Sequence, residues 1–139
     1  MSDFVLDASV VVSLYLPATS VQRAYAVKTL ELMRNGTVAA VPGLFDLEIG
    51  SVLIKARRKR LINTTLLDEA LADLDAMFFE IHHVRYTTSE VVGIARRFML
   101  TGYDAVYFDL AKRLNIPIAS LDRGHKTACK SYGVKLISF

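Results

Sequence analysis

Short apolar runs alternate with helical patterns along the whole chain, and that alternation is what most narrows the fold. Phe4-Val5-Leu6, Thr37 to Val41, Phe78 to Val84, Ile116 to Leu121 and Val134 to Phe139 read as strands. Between them lie helical stretches: Ala8 to Leu16 before Pro17, Thr19 or Ser20 to Arg34, and Leu44 to Arg60. A cap at Asn63-Thr64-Thr65 starts the next, through Met77, and a capping box at Thr87 to Glu90 starts another, through Leu100. Asp104 opens a sixth, and His125 to Tyr132 is the last. Strands that alternate with helices predict a three-layer α/β/α fold around a central, mainly parallel sheet of about five strands. At 139 residues the expectation is one domain, residues 1–139, large enough to bury a single substantial core.

Composition closes off other classes. With 53% apolar residues the chain is not a disordered one. No apolar run approaches the roughly 20 residues of a membrane span, so no membrane role is expected. The N-terminal MSDFVLDASVVVSLYL lacks a basic start and carries Asp3 and Asp7, so it reads as a strand and helix rather than a signal sequence. The single cysteine, Cys129, allows no internal disulfide and suits a cytoplasmic location. Seventeen Lys and Arg against fourteen Asp and Glu give +3, compatible with a nucleic-acid partner without requiring one.

Four acids fall where such a fold gathers its chemistry. Asp7 and Asp122 each end a strand, Asp104 opens a helix, and Glu48 sits one turn into the helix after the second strand. Tyr107, Phe108, Ala111 and Leu114 give the Asp104 helix its apolar face, with Asp104 one turn ahead on the same side. Glu48 lies within the stripe of Phe45, Ile49, Val52 and Ala56, where an unpaired carboxylate costs several kcal/mol or takes a proton. Each acid alone has a plainer reading: a helix cap for Asp7, a snorkelling side chain for Glu48, a dipole partner for Asp104, a turn opener for Asp122. Together they converge on the carboxyl edge of one parallel sheet, where open α/β folds bind ligands. Carboxylates brought together repel and need protons or a cation. A cluster of oxygens suits Mg²⁺, whose retained waters serve phosphoryl chemistry. No His or Cys spacing suits zinc.

The motifs VLDASV, FDLEIGSVL and YDAVYFDLAKRLNIPIASLDRG, in that order and at these separations, resemble PIN-domain proteins across essentially the whole chain, and specifically VapC-type toxins of toxin–antitoxin pairs. The resemblance implies an endoribonuclease dependent on Mg²⁺ or Mn²⁺ with Asp7, Glu48, Asp104 and Asp122 as its acidic pocket. Asp7 and Asp104 are then the direct metal ligands, with Glu48 and Asp122 binding directly or through water. Ser9 and Ser120 occupy positions where the family often places a supporting Ser or Thr. A cognate antitoxin and a homodimer also come from the resemblance alone. Some members carry a further acid after the last one, where this chain has Arg123, Gly124 and His125.

Other residues read as structural. Asp109 faces away from Asp104 and pairs with Arg113 at i+4, and Asp46 suits the helix dipole. His82 and His83 lie on a strand, so one of them should face the core. His125 reads equally as a substrate contact or a helix-start residue, and Cys129 as core. The run Lys55 to Arg60 is a solvated helix end or, with Arg57, Arg58, Lys59 and Arg60, a grip on RNA phosphates. The rival readings are a non-catalytic PIN-like RNA-binding module and another α/β class. A receiver or a dehalogenase-type phosphatase lacks its required pattern, since Asp7-Ala8-Ser9 offers no Asp-x-Asp and no Gly-rich phosphate loop exists.

Overall fold

A computed structural model describes residues 1–139 as four parallel strands and seven helices. In chain order these are β1 (Phe4–Leu6), α1 (Ala8–Val12), α2 (Ser20–Arg34), β2 (Ala39–Pro42), α3 (Phe45–Arg58) and α4 (Thr64–Ala76). Then come β3 (Glu80–His82), α5 (Thr88–Phe98), α6 (Gly102–Leu114), β4 (Ile118–Ala119) and α7 (Arg123–Tyr132).

The sheet order is β3-β2-β1-β4, every pair parallel. The chain steps from β1 outward to β2 and β3, then returns to place β4 on the other side of β1. Because parallel crossovers are right-handed, the outward steps lay α2, α3 and α4 on one face and the return lays α5 and α6 on the other. The packing agrees: α1 contacts α2 and α3, and α3 contacts α4. On the other side α6 lies on β1 and β2, between α5 and α7. The topological switch point therefore falls between β1 and β4. In open α/β sheets that switch point, at the carboxyl edge, is where ligands bind.

The central strands are short and wholly buried: β1, β2 and β4 expose almost nothing. That is the pattern of a sheet covered on both faces, where apolar runs replace strict alternation. The helices contribute single stripes. From α3 come Phe45, Ile49, Leu53 and Ala56, and from α6 come Tyr107, Phe108, Leu110 and Ala111. Leu53, rather than Val52, completes the α3 stripe, since Val52 is only half-buried. Phe98 of α5 packs its ring 4.9 Å from Phe108 and 5.0 Å from Tyr132, fastening α5, α6 and α7 into one layer.

Several elements are shorter than the sequence pattern predicts. The expected fifth strand, Val134 to Phe139, is reduced to a single parallel bridge between Ile118 and Leu136. Its next carbonyl, that of Ile137, accepts from the Tyr25 hydroxyl at 2.7 Å, and Phe139 stacks edge-on against Tyr25. The chain end thus docks on α2 instead of extending the ladder. The first helix stops at Val12 because the Ser13 hydroxyl donates back to the Ser9 carbonyl and the Arg23 guanidinium takes the Ser13 and Leu16 carbonyls. The third strand keeps only Glu80 to His82. It is an edge strand, so neither histidine enters the core. His82 is half-buried, its Nε2 2.9 Å from Glu80 and 3.3 Å from the Ser2 hydroxyl, while His83 is exposed.

Phe108 is wholly buried under the α6 turn that carries Asp104. Phe108→Ala is expected to lower unfolding stability by about 3–5 kcal/mol, read as a shifted midpoint in urea denaturation.

Candidate metal centre

α1, α3 and α7 each follow a strand and α6 leads into β4, so all four begin at the carboxyl edge. Each brings one acid. Asp7 is the N-cap of α1, its Oδ2 accepting the Ser9 N–H at 3.1 Å. Asp122 is the N-cap of α7, its Oδ2 accepting the His125 N–H at 3.0 Å. Asp104 lies in the first turn of α6, where the Thr101 hydroxyl donates to its Oδ2 at 2.8 Å. Glu48 lies in the first turn of α3 and accepts the Tyr107 hydroxyl on Oε1 at 2.7 Å. The positive end of each helix faces these carboxylates and favours their charge.

Behind the acids sits a wholly buried hinge of two residues, Ser120 and His125. The Ser120 hydroxyl oxygen accepts the Asp122 N–H at 3.1 Å, lies 2.8 Å from His125 Nδ1 and 3.3 Å from Asp7 Oδ2. His125 Nε2 is 2.8 Å from the Asp104 main-chain carbonyl. A carbonyl only accepts, so Nε2 carries the hydrogen. In the neutral ring Nδ1 carries no hydrogen, so the single Ser120 proton is shared between two acceptors, His125 Nδ1 and Asp7 Oδ2. One imidazole thus ties α7 to α6, and one hydroxyl ties both to β1. Ser9 adds a third tie, its hydroxyl accepting the Leu121 N–H at 3.0 Å.

The charge balance at this edge is uneven. No Lys or Arg pairs with any of the four acids, and the nearest cationic candidate is His125 Nδ1, 3.9 Å from Asp7 Oδ1. Burial pushes the Glu48 carboxyl up, and Asp7 and Asp104 push it further, against the hydrogen bond from Tyr107. Burial also raises Asp104, with Asp122 and Asp7 adding to it and Thr101 and His125 opposing. The Tyr107 phenol is driven far above its ordinary range by burial and by Glu48, so it stays a donor.

The donor set fits a hard divalent cation. Asp7, Glu48, Asp104 and Asp122 each engage one carboxylate oxygen and leave the other without a hydrogen bond from the chain. Ligand atoms of Asp7, Asp104 and His125 lie within 4.8 Å of one another. Both His125 nitrogens are already committed, so the free carboxylate oxygens are the ligands on offer. Oxygen-only ligation is what Mg²⁺ and Mn²⁺ favour.

The structure brings Asp7 and Asp104 within ligand reach of each other with Ser9 and Ser120 beside them, while Glu48 and Asp122 lie at the same edge outside that group. It does not bring the basic run there: Arg57, Arg58, Lys59 and Arg60 are exposed at the far end of α3. Asp109 stays outside, held by Arg113 at 2.6 Å and the Tyr86 hydroxyl at 2.7 Å. Cys129 is core, its thiol pushed up to about 11 by burial. Two residues carry more than their sequence context suggests. His125 is buried among the acids; its spacing to the inward Ala128 and Cys129 is the available signal. Tyr107 is the other, since a buried Tyr needs a partner for its hydroxyl. Gly124 leaves room for the Asp122 cap of α7. A Cβ there lies 2.9 Å from Asp122 Oδ2 and 3.2 Å from Leu100 Cδ2, so any larger residue displaces the carboxylate.

The chain belongs to the PIN domain family, whose model matches residues 4–138. Among solved structures it is similar to PAE2754 from Pyrobaculum aerophilum, at 20% identity and a TM-score of 0.65, covering 97% of this chain and 83% of that one. It is also similar to a toxin-antitoxin complex from Klebsiella pneumoniae, at 15% identity and a TM-score of 0.62, covering 98% and 97%. No curated protein matches the sequence.

Raised carboxyls bind protons in the folded state that the unfolded state has released, so stability falls as pH rises through that window. In EDTA, thermal midpoints are therefore expected to be higher near pH 5 than near pH 7.5, as far as Glu48 and Asp104 govern them. Mn²⁺ is expected to raise the midpoint at pH 7.5 and to lose its effect toward pH 5. Identical midpoints with and without Mn²⁺ at the higher pH would count against a cation at this edge.

Proposed function

We propose that this chain is a metal-dependent endoribonuclease and the toxin of a VapBC-type pair, acting on RNA in the cytoplasm and held in check by a cognate antitoxin. The observation that carries the reading is the set of four carboxylates at the switch point, each with a free oxygen and none with a basic partner. Asp7 and Asp104 are the direct ligands of Mg²⁺ or Mn²⁺, with Glu48 and Asp122 ligating directly or through water. When bound, the ion supplies positive charge against a phosphoryl oxygen and favours deprotonation of a water.

The residues of the chain do the rest. Glu48, held by the Tyr107 hydroxyl, keeps Oε2 free to orient and take a proton from the attacking water. Its raised carboxyl brings its basicity nearer to neutral pH. Ser120 and His125 hold Asp7, Asp104 and Asp122 in register, so the site is assembled before substrate arrives. Arg57, Arg58, Lys59 and Arg60 grip RNA phosphates and position the strand. The toxin–antitoxin assignment draws on the motif resemblance and on a structural neighbour described as a toxin-antitoxin complex.

Purified protein is expected to cut a pool of structured RNAs with Mg²⁺ or Mn²⁺ and to stop in EDTA. Asp7→Asn and Asp104→Asn should each lower cutting by about 10²–10³-fold while staying folded. Metal-independent cutting, or cutting that survives both changes, sinks the assignment. RNA binding without turnover moves the chain to a non-catalytic module.

Affinity for single-stranded RNA against salt gives a second check. Arg57→Ala with Arg58→Ala should flatten the log–log slope by about 1.4, at roughly 0.7 for each phosphate no longer neutralised. An unchanged slope removes the patch.

A further inference from the structure

Four carboxylates repel a polyanion, and the run Lys55 to Arg60 stands at the far end of α3 from them. A smaller basic and aromatic group lies much nearer. Just past the carboxyl end of β3, His83, Arg85 and Tyr86 line a cleft of about 330 Å³. Its other wall is Gly43 and Leu44, which lead into α3, and Val106 of α6. These are two of the helices that carry acids. Leu44 is one turn ahead of Glu48, and Val106 is two residues past Asp104, about 3 Å along the axis.

At about 100° per residue Val106 faces away from Asp104, so the first turn of α6 separates the cleft from the carboxylates. Tyr103 tops that turn, three residues before Val106 and four before Tyr107, and is 65% exposed. It therefore stands between Tyr107, which holds Glu48, and the cleft.

The walls are fixed by their own contacts. The Tyr86 hydroxyl donates to Asp109 Oδ2 at 2.7 Å, and the Arg113 guanidinium lies 5.5 Å from the Tyr86 ring centroid. The His83 ring rests on the β2–α3 turn, since a Cβ on Gly43 lies 3.1 Å from His83 Nδ1. Arg85 is different: exposed and without an ion pair in the chain, it is free to meet a phosphate.

Scattered exposed aromatics are ordinary. Tyr103 differs in its place, beside a proposed ligand acid and at the lip of a cleft with an unpaired guanidinium. Unstacked bases are held on aromatic rings, and their phosphates by Arg. The volume lies near the bottom of the roughly 300–1,000 Å³ range of small-ligand sites, which suits one nucleotide and excludes a duplex.

We propose that this cleft takes one unstacked nucleotide of single-stranded RNA next to the cut, its base against Tyr103 and its phosphate on Arg85. The placement beside a cut rests on the nuclease reading and narrows it. The substrate is then a strand whose bases are free to splay, and the nucleotide flanking the scissile bond is selected here.

The test is binding, read by fluorescence anisotropy in EDTA so that it does not depend on turnover. The probe is the tightest binder from a pool of short single-stranded RNAs. Replacing its nucleotides one at a time with abasic ones should reveal a position whose base contributes about 5–150-fold in affinity, the worth of a stacked base. Tyr103→Ala should abolish the effect of that position, and Tyr103→Phe should keep it. Both change an exposed side chain and are checked by circular dichroism. Arg85→Ala should flatten the log–log slope against salt by about 0.7. With Mg²⁺ or Mn²⁺ added, wild-type cuts should fall beside the same position.

Abasic losses that are equal in wild type and Tyr103→Ala at every position overturn the subsite, and so does a duplex bound as tightly as the single strand. Metal-dependent cutting that continues in either case leaves the nuclease reading as it was. A base coupled to Tyr103 in a protein that cuts nothing does the opposite: the nucleotide site stands, and the nuclease reading falls together with the placement beside a cut. A protein that binds no RNA overturns both.

Discussion

Four carboxylates converge on one edge with no basic side chain among them, and much of the molecule is arranged around that repulsion. Left alone, such a cluster would pull the strand ends apart or draw protons. It is held by neutral donors: two hydroxyls, one phenol and main-chain N–H groups at helix starts. Ser120 and His125 are the centre of this arrangement. Wholly buried and fully bonded, they link the end of β4 to β1, α6 and α7. A buried polar network is worth having only when every member is satisfied. Here no buried side-chain polar atom lacks a partner.

The sheet serves this edge with little material. Strands of two to four residues suffice because both faces are covered and each strand has only to end at the right level. The outer strand, β3, carries Glu80 and His82, which bond to each other and keep a polar rim on an exposed edge. Rigidity comes from the helix layers, above all the Phe98, Phe108 and Tyr132 cluster that sets where α6 begins and hence where Asp104 stands.

The layer architecture and the four acids are legible in the sequence because both depend on local pattern: apolar runs, helix spacing, and an acid at the end of each element. What stays hidden depends on tertiary partners. The last strand reads as regular, yet Tyr25, far away in the chain, takes the Ile137 carbonyl and ends the ladder early. His82 and His83 read as half-inward because strand alternation says so, but alternation does not report that a strand lies at the edge. His125 reads equally as a substrate contact or a helix-start residue. Its importance comes from an Asp104 carbonyl twenty-one residues earlier, which no spacing rule points to. The basic run shows its charge plainly but not its distance from the pocket, which only the direction of α3 supplies.

Gly124 has a wider consequence. Its missing side chain leaves room for the Asp122 carboxylate to cap α7. A residue of any other type at that position collides with the cap before it can offer a group of its own. What this position can hold is therefore limited by the Asp122 carboxylate and the Leu100 methyl beside it. A carboxylate introduced there would have to displace the cap of α7 in order to fit.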